Sequence, residues 1–435
     1  MKRILSVLFW SIIAAAFIGP GTVTTAASSG ARFRYALVWA LLFSTIATLV
    51  LQEASARVTV ASRMNLGQAI QKRFYGSTNG WLALLLVIGA IIFGCAAYET
   101  GNILGGVMGA AIGTGLSPTI LTLLVGVLAG VILWIGTPRT VAYLLSTVVA
   151  FMGIVFFITA ILLKPPILEL LRGSLLPTLP HGSGLLVLGL IGTTVVPYNL
   201  FLGSGLATGQ NLKELRFGLS ISVMLGGFIS IGVLVVGVAV QGAFNFIVLA
   251  DALSERLGSW ARLLFAFGLC AAGLSSAITA PLAAAITARG LFEQGEQKLW
   301  NNHSWRYRSV WLGILLVGIG FGLVNVKPIP AIILAQALNG IVLPFVAIFL
   351  LLVVNDRVLM GENNMNGAIS NSLMGLVVGV TIVIGISNFL KAAASAFGFS
   401  TPSEWSVLLI AGTVTLILIF PVSRIIRLRR SYVNL

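Results

Sequence analysis

Twelve long apolar runs separated by short polar segments make up nearly the whole chain, starting near residues 4, 36, 80, 119, 141, 184, 217, 264, 310, 329, 373 and 405. Each is long enough to cross ~30 Å of hydrocarbon, which takes about 20 helical residues. Lipid offers no partner to backbone N–H and C=O groups, so each run is read as an α-helix that satisfies its own backbone. The fold class is therefore an all-α integral membrane protein. The longest stretches between runs, 164–183 and 290–309, are too short to bury a core of their own. Residues 1–435 are expected to form a single transmembrane domain.

Two runs carry a built-in interruption. In the first, Phe17-Ile18-Gly19-Pro20-Gly21-Thr22-Val23-Thr24-Thr25 places two glycines and a proline inside a span that begins at Ile4. Proline has no N–H to donate and glycine loses backbone entropy in a helix, so the span should break there. The sixth run is interrupted in the same way at Gly192-Thr193-Thr194-Val195-Val196-Pro197-Tyr198-Asn199. Unwound backbone at membrane depth has to line a cavity in the protein, and paired breaks in two halves of a chain point to a transporter's substrate site.

Composition agrees with the pattern: 58% of residues are hydrophobic and 9% charged, with a mean hydropathy of +1.05. A soluble domain would carry about a quarter charged residues. The net charge of +15 would suit a nucleic-acid partner, but its distribution argues otherwise. With the N-terminus inside, 18 of the 26 lysines and arginines fall in cytoplasmic segments, as the positive-inside rule requires of a multi-pass protein of the inner or plasma membrane with both termini cytoplasmic. The bilayer is thus the expected partner, and nucleic acid is not. Lys2 and Arg3 before an apolar run, with Thr25-Ala26-Ala27-Ser28 after it, also imitate a cleaved signal peptide; the run is read here as a retained span. Cys95 and Cys270 sit singly in two spans and read as packing residues, while His181 and His303 fall in loops. No G-x-x-x-x-G-K-[ST] loop is present, so transport would draw on an ion gradient. No enzymatic activity and no cofactor are expected.

At the two breaks the candidate substrate-binding residues are Gly19, Gly21, Thr22, Thr25, Thr193, Thr194, Val196, Tyr198 and Asn199, with Thr24 beside them. They offer neutral hydroxyls, an amide and freed backbone groups. A metal would have to use backbone and hydroxyl oxygens near Gly19, Thr22 and Thr193. The competing view is that threonine in a membrane helix bonds back to its own backbone or to a neighbouring helix. Ionisable residues inside spans are costly and usually functional or paired. Glu53 and Arg57 lie four apart on one helix face and are expected to pair as a structural or gating element. Glu99 in the third span is either a buried proton carrier or a carboxylate facing water at the span's end.

The chain also resembles a known family. Pro20-Gly21-Thr22 through Gly30-Ala31, Trp39-Ala40-Leu41-Leu42, Leu51-Gln52 with Ala56-Arg57, Asn199-Leu200-Phe201-Leu202 with Ser204, Gly273-Leu274-Ser275-Ser276 with Ile278-Thr279, Gln336, Leu343-Pro344-Phe345 and Asp356-Arg357-Val358-Leu359-Met360-Gly361 resemble the Nramp divalent-metal transporters, in order and spacing, over roughly residues 10–362. The resemblance implies a LeuT-type fold: inverted repeats at about 4–163 and 184–355, broken first and sixth helices crossing at the centre, and two extra helices at about 373–390 and 405–422.

It also implies a divergent member. The family's Asp-Pro-Gly-Asn reads Gly19-Pro20-Gly21-Thr22 here, and its Met-Pro-His reads Val196-Pro197-Tyr198; a further carboxylate, histidine and glutamine fall on Ala26, Gly203 and Val342. Glu99 takes the place of the family's Asp on the proton route, and the following Glu is Asn102. The family default is import of divalent cations of the Mn, Fe or Mg type, with proton coupling. Loss of the usual ligands leaves two alternatives open: an ion-coupled transporter of a small neutral or zwitterionic organic solute, and a non-transporting membrane sensor or scaffold.

Overall fold

Proline decides where the first described helix begins. Pro20 occupies the first turn of α1 (Pro20–Phe33), and Gly19 before it is extended at φ −122°, ψ −172°. The pyrrolidine ring pushes its predecessor out of the helical region and needs no N–H partner itself. The computed structural model describes residues 6–7, 9–11, 13, 18–74, 80–135, 138–240, 244–293, 297–324, 326–396 and 404–431. Phe17 and several other residues of the first apolar run therefore lie outside the described residues. Those that are described from it dock on a later helix: Ser6 Oγ donates to the Glu214 carbonyl at 2.7 Å, and Ser222 Oγ donates to the Val7 carbonyl at 3.0 Å.

After α1 come α2 (Val38–Ser62), α3 (Leu66–Phe74), α4 (Gly80–Thr114), α5 (Pro118–Ile135), α6 (Pro138–Leu162) and α7 (Ile167–Leu175). The sixth apolar run is then divided into α8 (Gly184–Thr194) and α9 (Pro197–Leu206). The remainder is α10 (Leu212–Val238), α11 (Phe246–Leu257), α12 (Trp260–Phe292), α13 (Trp305–Leu323), α14 (Pro328–Val354), the single turn α15 (Arg357–Met360), α16 (Ala368–Ala396) and α17 (Glu404–Ser431). Ten stretches among the described residues are long and apolar enough to cross a membrane, with α8 and α9 together forming one of them. Of the twelve expected spans, the fifth corresponds to α6 and the first is interrupted by residues that are not described. Thr25-Ala26-Ala27-Ser28 is buried within α1.

Without a hydrophobic drive between helices in lipid, close backbone approach supplies the packing. The seam between α4 and α12 is built that way: a Cβ on Gly106 would lie 3.3 Å from Gly273 Cα, and one on Gly109 would run into the backbone around Cys270. Large apolar side chains such as Leu124, Val127 and Ile135 on α5 and Leu416 and Phe420 on α17 are exposed, as a lipid-facing belt requires. The helices inside this belt hold the two breaks at the centre of the molecule.

Candidate functional site

The second break is shorter than the sequence pattern suggested. Thr193 and Thr194 finish α8, Val195 (φ −91°, ψ 77°) and Val196 (φ −84°, ψ 119°) make the interruption, and Pro197 opens α9 with Tyr198 and Asn199 already helical. Pro20 and Pro197 thus play the same part, each in the first turn of a helix that starts inside an apolar run.

Interrupting a helix strands its carbonyls, and the neighbouring helices supply donors for them. Tyr98 OH on α4 donates to the Gly192 carbonyl at 3.1 Å, and Thr48 Oγ1 on α2 donates to the Thr194 carbonyl at 3.0 Å. Two turns of α2 follow α9: Gln52 Nε2 donates to the Asn199 carbonyl at 2.8 Å, and Ser55 Oγ to the Leu200 carbonyl at 2.6 Å. The two breaks are joined directly, because Thr22 Oγ1 and Thr193 Oγ1 share a hydrogen bond of 2.8 Å. Thr24, Thr25 and Thr194 instead donate to the carbonyls of Pro20, Gly21 and Leu190 in their own helices, which is the back-bonding alternative raised by the sequence. Gly19 and Gly21 serve as space: a Cβ on Gly19 would lie 2.6 Å from Ser276 Oγ, and one on Gly21 would meet the Gln336 amide. Val196 is buried and contributes its extended backbone.

Around these contacts lies a set of buried polar atoms that hydrogen-bond to nothing among the described residues. They are Gln52 Oε1, Glu99 Oε1, Tyr198 OH, both amide atoms of Asn199 and of Gln336, the hydroxyls of Ser275 and Ser276, and Asn339 Oδ1. Leaving such a group unpaired costs about 1–3 kcal/mol each, so a cluster of them marks a place built to receive something polar. Tyr98 and Tyr198 meet edge to face at 5.2 Å. Glu99 is fully buried in the middle of α4, not at a water-facing end, and Asn102 Nδ2 donates to its Oε2 at 3.4 Å. No group of three or more His, Cys, Asp or Glu that could hold a metal occurs among the described residues. Gln52, Tyr98, Ser275, Ser276, Gln336 and Asn339 were not among the candidates from sequence; polar residues inside apolar runs were the signal for them.

Glu53 and Arg57 do pair, at 3.0 Å, and the cluster is larger than predicted: Arg216 of α10 reaches the same carboxylate at 2.8 Å. This group lies toward the C-terminal end of α2, apart from the breaks.

The model of the family described as natural resistance-associated macrophage protein-like matches residues 11–391. The chain belongs to the Nramp family. Within it, the chain is 25% identical to a protein of Arabidopsis thaliana named metal transporter Nramp6, over 87% of this chain and 76% of that one. It is 24% identical to a Yersinia pestis protein named divalent metal cation transporter MntH, over 87% and 92%. Among solved structures it resembles the manganese transporter of Eremococcus coleocola, with a TM-score of 0.74 at 18% identity, covering 98% of this chain and 93% of that one. MhsT in complex with L-phenylalanine superposes with a TM-score of 0.59 at 16% identity, covering 96% and 98%. At these identities the structures speak for the fold alone, which is the LeuT type, as the resemblance implied. This Nramp-family chain has Pro20 and Pro197 at its two breaks, with a polar lining around them in which Glu99 is the one carboxyl group among the unpartnered atoms.

Proposed function

We propose that this Nramp-family protein is a secondary transporter for a hard divalent cation of the Mg²⁺ class, carried through the crossing of α1 with α8 and α9. The names of its relatives support a divalent cation as cargo. The lining supports a hard one: the unpartnered buried atoms include five amide or carboxyl oxygens, of Gln52, Glu99, Asn199, Gln336 and Asn339, against two amide nitrogens. Oxygen-only sites suit Mg²⁺, which dehydrates reluctantly and keeps several waters, whereas a soft ligand is what favours a transition metal over Mg²⁺. A single carboxylate is a weak counter-charge for a bare dication, so the cargo would cross with part of its hydration shell. Glu99 is assigned as the proton carrier that couples the cycle. In this reading residues 1–435 form one transport unit with repeats at about 4–163 and 184–355, and both termini face the cytoplasm.

A second reading has an observation of its own. The amide nitrogens of Asn199 and Gln336 are also unpartnered, and they could donate to a small neutral or zwitterionic solute. Proteoliposome uptake and titration calorimetry with Mg²⁺, Mn²⁺ and a panel of amino and organic acids separate the two. The expected result is saturable Mg²⁺ uptake exceeding Mn²⁺ uptake, reduced at least tenfold by Gln336→Leu, equivalent to about 1.4 kcal/mol, and made insensitive to a proton gradient by Glu99→Gln. Uptake of an organic solute with indifference to every dication would overturn the cation reading; no uptake of any solute would leave a sensor or scaffold.

A further inference from the structure

Arg57 and Arg216 share one carboxylate, so their corner of the molecule keeps a positive charge. Arg57 is nearly buried and spends its other donors on the turn between α15 and α16, at the Asn364 carbonyl and at Asn366 Oδ1. Among the described residues Arg216 is held by Glu53 alone, and it is half exposed, with 52% of its side chain open. With Asn363 and Ser370 these residues line a polar cavity of about 460 Å³. An apolar cavity of about 260 Å³ adjoins it, with Leu49, Val50 and Ala54 of α2 as floor and Leu219 of α10 facing Leu373 and Met374 of α16. Glu53, Arg57, Arg216, Asn366 and Ser370 border both, so the two form one groove.

The groove changes character along its length. Its polar end sits where α10 and α16 begin, at the level of a membrane helix terminus. Its apolar end runs into the span, where Leu373 is 44% exposed on the lipid side. A free anion would use the first half only and a neutral acyl chain the second only. An anionic amphiphile uses both, and basic pockets between membrane helices are where anionic head groups bind.

We propose that this groove binds an anionic glycerophospholipid, its phosphate on Arg216 and the Asn363–Ser370 rim, with one acyl chain along Leu49, Val50 and Leu373. Glu53 also faces the groove, but its charge is taken up by two guanidinium groups. The floor of the groove is the same helix that holds α9 through Gln52 and Ser55, so the lipid would steady the support of the second break without entering the cargo site.

The test is native mass spectrometry of the full-length protein in neutral detergent with dioleoylphosphatidylglycerol, dioleoylphosphatidylcholine and inorganic phosphate as probes. The expected result is about fivefold preference for phosphatidylglycerol, the size of one basic residue's contribution at a membrane surface. Arg216→Gln should remove that preference, Arg216→Lys should keep it, and Leu373→Trp should lower lipid occupancy. Equal retention of the two lipids by the native protein, or selectivity unchanged in Arg216→Gln, overturns the proposal. Displacement by millimolar inorganic phosphate, with no effect of Leu373→Trp, assigns the groove to a free anion and overturns it as well.

Discussion

Two glycines against the same residue, Gln336, show how differently a single methyl group should act. A Cβ at Gly192 would press into the backbone carbonyl of Gln336 and lie 2.8 Å from the Gly340 nitrogen, neither of which can turn aside. A Cβ at Gly21 would meet only the amide end of Gln336, a flexible group that can rotate away. Gly192→Ala is therefore expected to destabilise the protein by about 1–3 kcal/mol, the usual cost of overpacking, and to lower its melting temperature. Gly21→Ala should fold normally and lose uptake, because the displaced amide belongs to the proposed cargo lining. Thermal melts of both variants, measured beside uptake, distinguish the effects; equal melting temperatures for the two would contradict this account.

At the scale of helices, proline explains what could be read in advance. Pro20 and Pro197 each follow a residue in extended backbone, and each stands in a run that also carries glycine, so the existence of both breaks was legible, although Pro281, Pro344 and Pro421 are accommodated inside helices. The length of the second break was not, since Thr193, Thr194, Tyr198 and Asn199 are held helical by contacts with α2 and α4 that lie far away in the sequence. The same limit applied to Glu53. Its pairing with Arg57 follows from a spacing of four, whereas Arg216 arrives from another helix, 163 residues away. The consequences of removing each member differ. Glu53→Ala leaves Arg57, with 6% of its side chain exposed, without a counter-charge, and should cost up to about 3 kcal/mol. Arg216→Gln removes a half-exposed partner and should cost under about 1 kcal/mol. Thermal unfolding checks both; equal losses would mean that Arg57 is compensated from elsewhere.

For the molecule as a whole, the class and the family could be read from hydropathy and motifs, because membrane depth restricts the chain to helices and leaves their count in the apolar runs. The residues gathered around the crossing were legible only in part. Sequence marks polar residues inside spans, but which of them face one another depends on helix rotation, so Gln336, Asn339, Ser275 and Ser276 join the site only once α12 and α14 are in place. Their family motif was visible; their shared surroundings were not.

The glycine seam between α4 and α12 bears on how such a molecule moves. Where backbone rests on backbone, no side chain exists to change rotamer, and sliding one helix along the other would meet hard contacts at once. The pair is therefore expected to behave as a single stiff member while the short helices at the breaks shift around it. Hydrogen–deuterium exchange should record this as a contrast in time. Amides at 102–109 and 266–273 should stay protected for as long as the protein is folded, whether or not cargo is present, and those at 18–19 and 196 should exchange early and slow when cargo binds.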